Sequence, residues 1–306
     1  MLGHRVGALA LLVCASACAT APRSAGLQRQ SLRASEPGGF DSDLTTDILS
    51  SAGMLAVGLL ADREKHTWSE VSPCEGARHA PSQEERAAFA ALGPREGTCD
   101  VGNVPSIDRV VTRLKWDPAK RLSDLGLLGL LGVPFGVAAV HTGVQQVPAS
   151  AIAVDSVVIT QTLSATLVTT ALLKMMVARA RPLTYNPDFS LSTRFSGDAR
   201  LSFPSGHSSM AFSAASLTAV MLLKRYPGHL GAYLGTASAY LAASSVATLR
   251  VLAGKHFITD VIAGAALGTV IGLVIPLSHV NEGETDGAEL GHNRASAPVF
   301  SIGGSF

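Results

Sequence analysis

The chain has 306 residues, four cysteines and a formal net charge of +1; 47% of its residues are hydrophobic and only 15% are charged. Charge this close to neutral, with no long basic run, argues against nucleic acid as a partner. A mean hydropathy of +0.31 argues against an ordinary soluble enzyme and for a helical membrane protein with polar flanks.

In chain order, residues 1–18 read as an export signal. His4 and Arg5 precede an apolar run from Val6 to Val13, and Ala15-Ser16-Ala17 stand before Cys18. This resembles a bacterial lipoprotein signal, with Cys18 as the lipidated residue. Ala15 stands where leucine is commoner, so cleavage after Ala17 and an uncleaved anchor both stay open. Residues 19–43 are small and polar and read as a flexible tether. Residues 44–120 form a periplasmic segment with one short apolar helix, Ile48–Ala61. It also carries Cys74 and Cys99, the only cysteines beyond the signal. In an oxidising compartment these two are expected to form a disulfide, worth roughly 3 kcal/mol in the chain-entropy account.

Residues 121–280 hold five apolar segments: Leu125–Val140, Val147–Leu173, Ser209–Leu223, Leu230–Leu249 and Phe257–Leu277. Each is close to the roughly 20 residues a spanning helix needs. The fold expected is all-α, a multi-span membrane bundle with its active site at helix ends on the periplasmic face. Parity supports one face for the site if residue 19 onward is exported and Ile48–Ala61 does not cross. Lys224 and Arg225 then fall in a cytoplasmic loop, as the positive-inside rule prefers. Residues 281–306 are a polar tail.

Three clusters carry chemistry. Lys174 and Arg181 are seven apart, two turns along one helix face, and Pro182 is expected to close that helix. Pro204-Ser205-Gly206-His207 precedes a helical run, so free backbone N–H groups there suit an anion. Arg250, His256 and Asp260 come last, with Asp260 placed to bond one ring nitrogen of His256 and leave the other nucleophilic. Together they can hold a tetrahedral oxyanion, attack it and protonate what leaves. Arg179 and Arg200 read as surface-snorkelling cations and His141 as an interface residue. Lys255 is either site or surface.

Lys174-x6-Arg181-Pro182, Pro204-Ser-Gly-His207 and Arg250-x5-His256-x3-Asp260 resemble the tripartite signature of the type 2 phosphatidic acid phosphatase superfamily, which includes class A acid phosphatases and vanadium haloperoxidases. One position departs from it: Leu249 stands where the family usually has serine. The resemblance implies His256 as nucleophile, Asp260 as its orienting partner and His207 as general acid. It makes Lys174, Arg181, Ser205, Gly206 and Arg250 the substrate-binding residues, with no cofactor and no metal. It implies a phosphatase of the bacterial cell envelope acting on lipid phosphates or diphosphates. A soluble-type periplasmic acid phosphatase, a vanadium haloperoxidase and an inactive lipid-phosphate-binding membrane protein are the alternatives.

Overall fold

The computed structural model describes residues 31–32, 39–40, 42–64, 99–194 and 196–280. Its long helices are α1 (Leu44–Glu64), α2 (Asp117–Gln145), α3 (Ala149–Val177), α4 (Gly206–Arg225), α5 (Leu230–Leu252) and α6 (Ile258–His279). A two-residue antiparallel pairing, Ser31–Leu32 with Ser42–Asp43, is too small to alter the all-α class. Among the described residues, α2, α4, α6 and the stretch Ala149–Tyr185 that contains α3 are long and apolar enough to cross a membrane. The fifth expected span, α5, has the length at 23 residues, but alanine, serine and glycine dilute its hydropathy. The signal (1–18, with Cys18), most of the tether, Cys74 and the tail after Val280 lie outside the described residues.

Local chemistry sets the helix ends. Trp116 starts α2, with Pro118 in the first turn where its missing N–H costs nothing. The Ser205 hydroxyl accepts from the Ser208 N–H and caps α4. In α6 the Asp260 carboxylate reaches back to the Phe257 N–H at 2.8 Å, half of a capping box. Helix α3 stops at Val177, because Ala178 adopts a left-handed conformation (φ 47°) and returns its N–H to the Lys174 carbonyl. Lys174 and Arg181 therefore do not share a helix, contrary to the expectation from their spacing. Arg181 sits on extended chain ahead of the one-turn Pro182–Tyr185 segment.

Helices α2 to α6 alternate in direction, so the start of α2, the end of α3, the start of α4, the end of α5 and the start of α6 meet at one end of the bundle. The tightest contact in it is α4 against α6. Gly264, Gly268 and Gly272 fall every fourth residue on α6, facing Ser205, Ser209 and Ser213 on α4. A Cβ on Gly268 would lie 2.0 Å from the Ser209 carbonyl oxygen. Backbones can approach this closely only where side chains are absent, the small-residue logic of helix pairs in membranes.

Helix α1 packs on α3 and α6. Asp47, near its start, lies 3.4 Å from Gln161 and 3.6 Å from His279 at the end of α6. Gly58, near its other end, packs on Leu167 and Val168 and borders the site cavity. Met54 and Val57 bury against α3 and α6. The helix thus runs along the outside of the bundle toward the site end, with Met54 and Val57 on the α3 and α6 faces and Leu49, Leu55 and Leu60 exposed. Its two ends lie at opposite ends of the molecule.

The far end is closed by polar pairs. Arg225 and Asp155, both buried, form an ion pair at 2.5 Å. His141 is buried there, with its Nδ1 2.8 Å from the Tyr226 hydroxyl.

Candidate active site

At the site end a cavity of about 350 Å³ is bordered by Lys174, Arg181, Gly206, His207, Arg250 and His256. The same cavity continues along apolar walls made by Leu127, Leu167, Met175, Leu201 and Met210. One end is thus cationic, the other oily.

His256 is 1% exposed and its two ring nitrogens have distinct partners. Nδ1 lies 2.8 Å from the Ser202 carbonyl, which can only accept, so Nδ1 carries the proton. Nε2 is then the lone-pair nitrogen, and Arg181 Nη1 donates to it at 3.2 Å. Burial, then the charges of Arg181, Lys174 and Arg250, hold the imidazole well below its usual pKa of 6.5. The ring is therefore neutral at pH 7.

Asp260 does not hold His256 directly, contrary to the expectation from its spacing. Its Oδ2 is 3.8 Å from Nδ1. The carboxylate is taken up by Ser202 Oγ (2.5 Å), the Phe257 N–H (2.8 Å) and Arg179 Nη1 (2.6 Å). It ties together the Ser202 and Phe257 chain segments that flank the histidine, and the backbone of Ser202 fixes the tautomer. Arg179 is no snorkelling cation either. Its Nη2 reaches the fully buried Asp108 at 2.8 Å and its guanidinium stacks on Phe257 at 4.3 Å. Arg200 is buried too, at 3% exposure.

Arg181 is oriented by Asp198 through its carbonyl (2.7 Å) and carboxylate (2.8 Å), and by the Lys255 carbonyl (3.1 Å). The Lys174 ammonium approaches Gly206: a Cβ placed there would meet Nζ at 3.7 Å. Ser205 is fully buried and does not border the cavity. Its hydroxyl serves as the α4 cap, not as an evident substrate ligand. Lys255 lies beside Arg181, and burial followed by Arg181 and Arg250 lowers its pKa to about 8. Gly254 is more than a loose turn. Its φ is +64°, and a Cβ would meet the Leu114 carbonyl oxygen at 2.3 Å.

Two residues of α2 escaped the sequence reading. Asp124 Oδ1 lies 2.8 Å from His207 Nε2 and 3.1 Å from Arg250 Nη1, while Lys120 holds the other oxygen at 3.0 Å. Ser123 Oγ accepts from Arg250 Nη1 at 3.2 Å. A hydroxyl therefore stands beside Arg250 even though Leu249 supplies none. The available signal was two polar residues just inside an otherwise apolar helix. Cys99 is buried and disulfide-bonded, and its N–H bonds the Thr184 carbonyl at the site end of the molecule.

Residues 156–284 match the family model described as PAP2 superfamily. Over that stretch the chain is similar to the PAP2 superfamily. The likeness implies phosphatase-type activity on phosphate-bearing substrates, and the apolar helices imply integration in a membrane. No curated protein and no solved structure matches the chain. Ser123, Asp124 and Gly58 border or support the site from outside the matched stretch.

Proposed function

We propose that the protein is a metal-independent lipid-phosphate phosphatase working through a phosphohistidine. The observation that carries this reading is the two-ended cavity. Lys174, Arg181, Arg250 and the Gly206 N–H converge on a volume suited to a phosphoryl group, while Leu127, Leu167, Met175 and Met210 offer an apolar path for a tail.

In the first step His256 Nε2 attacks phosphorus, displacing the hydrogen bond from Arg181, whose guanidinium then serves the phosphoryl oxygens. The P–O bond to the leaving group breaks, and protonated His207 gives that oxygen its proton. In the second step water attacks phosphorus, His207 takes the water's proton, the P–N bond breaks and phosphate leaves. Asp124 Oδ1, 2.8 Å from Nε2, orients His207. The three cations take the charge that a metal would otherwise meet.

We assign the site to the periplasmic side of a bacterial envelope. The disulfide at Cys99 stands at the site end and calls for an oxidising compartment, and Lys224 and Arg225 stand at the other end. Arg109, Arg113 and Lys115 at the site end run against the positive-inside rule, and the disulfide outweighs them here.

The test is phosphate release in excess chelator from a panel of lipid phosphates and one soluble, impermeant ester, comparing the native chain with His256→Ala. Sealed spheroplasts serve the soluble ester and detergent-purified protein the lipids. The reading expects turnover that survives chelator, proceeds without lysis, prefers a lipid and falls about 10⁴-fold or more in the variant. Turnover that requires lysis would reverse the orientation. No turnover from folded protein would sink the phosphatase assignment.

A further inference from the structure

The apolar branch of the cavity at His256 has a finite depth, and two small residues keep it open. We propose that Ala171 and Gly58 are specificity-determining residues that make this branch a gauge for the length of one linear chain attached to the phosphate. The gauge rests on the reading above, in which the phosphoryl group sits among Lys174, Arg181 and Arg250.

Helix α3 supplies the scale. Leu167, Thr170, Ala171, Lys174 and Met175 all border the cavity, and steps of three and four residues keep them on one helix face. The helix runs toward the site end, so lower numbers lie deeper. At the helical rise, Ala171 stands about 4.5 Å below Lys174 and Leu167 about 10.5 Å below it. Among the described residues, none of α3 before Leu167, of α2 beyond Leu127 or of α4 beyond Met210 borders the cavity. The branch therefore ends near the level of Leu167, a depth that takes about eight carbons of an extended chain. A volume of about 350 Å³ is at the low end for a small-molecule site. It has room for one such chain beside a phosphoryl group and not for two.

Ala171 keeps the upper part of the branch open. It carries the smallest side chain on the cavity face of α3. Leucine there would fill the branch at about the fourth carbon of the chain.

Gly58 keeps the deep part open. It borders the cavity from α1 at the level of Leu167. A Cβ on Gly58 would lie 3.2 Å from Leu167 Cδ2 and 3.4 Å from Val168 Cγ2. A larger side chain would enter the deep end or press Leu167 into it. Gly53, on the same helix, is exposed, and a Cβ there would meet nothing within 4 Å. Gly58 and Leu127 also lie outside residues 156–284, so the matched stretch alone does not set the walls of the branch.

The test is isothermal titration of the full chain in nanodiscs with n-alkylphosphonates from ethyl to decyl, each kept below its micelle concentration and corrected with empty nanodiscs. Phosphonates keep the phosphoryl oxygens and resist hydrolysis, so binding is read apart from turnover. Each Kd is taken relative to propylphosphonate in the same protein, which cancels a general loss of fold. The native chain is expected to bind about threefold tighter per added carbon as far as octyl and no tighter beyond. Ala171→Leu is expected to stop gaining near butyl and to bind octylphosphonate at least tenfold more weakly than the native chain on that relative scale. Gly58→Leu is expected to stop between butyl and octyl, and Gly53→Leu to follow the native series. A native series flat with length, or Ala171→Leu and Gly58→Leu both following the native series, would overturn the gauge. So would a Gly58→Leu series that stops earlier than that of Ala171→Leu. Continued turnover of octyl phosphate would leave the hydrolase reading standing in those cases. Absence of that turnover beside the expected length series would sink the hydrolase reading and keep the gauge.

Discussion

Ser202 and Asp260 divide a task that a catalytic triad gives to one carboxylate. In a triad, changing aspartate to asparagine costs about 10⁴ in rate because the histidine takes the wrong tautomer. Here a main-chain carbonyl, which no side-chain substitution removes, accepts from His256 Nδ1. Asp260→Asn is therefore expected to reduce kcat by well under 10⁴-fold. Its larger effect falls on stability, because the variant breaks a buried pair with Arg179, a loss of about 3–5 kcal/mol. Denaturant melts and kcat on the same preparation separate the two, and a 10⁴-fold loss of kcat with unchanged stability would restore the triad. Lys255 makes a pH-dependent contribution. Its folded pKa of about 8 lies below its ordinary 10.5, so its charge destabilises the native state fully below pH 8 and this penalty fades between pH 8 and 10.5. Lys255→Met is expected to raise Tm at pH 7 and to lose that advantage as pH approaches 10.5. A Tm difference that is constant across this range would show that the lysine is not held among the site cations.

At the scale of elements, six apolar stretches were legible because each has helical length and polar ends, and every one of them is a helix. What spacing alone did not resolve were contacts between elements. Ser202 meets Asp260 across 58 residues, Arg179 meets Asp260 across 81 and His207 meets Asp124 across 83. No local pattern encodes such pairs, so Asp124 and Ser202 went unread and Arg179 was placed at the surface. The break of α3 at Ala178 was equally hidden, since alanine carries no signal for a left-handed turn. Contact between α4 and α6 sets the distance from His207 to His256, and Gly268 sits at its closest point. Gly268→Ala forces the Ser209 carbonyl away, with an expected cost of about 1–3 kcal/mol and reduced kcat with little change in KM. Native kcat and stability in that variant would show that the helices do not pack through this stripe.

For the whole molecule, direction matters as much as fold. Alternating helices bring five helix ends into one cluster, and α1 adds a wall that starts from the opposite end. The motif histidines were readable from sequence, whereas the course of α1 depends on Met54, Val57 and Gly58 finding partners on α3 and α6. The central claim is that this cluster passes a phosphoryl group through His256 Nε2. Rapid quenching of the native protein during turnover of a ³²P-labelled lipid phosphate tests it most directly. The account predicts a protein-bound label that is stable in alkali, lost in acid and absent from His256→Ala. An acid-stable label, or a label that persists in His256→Ala, would contradict it.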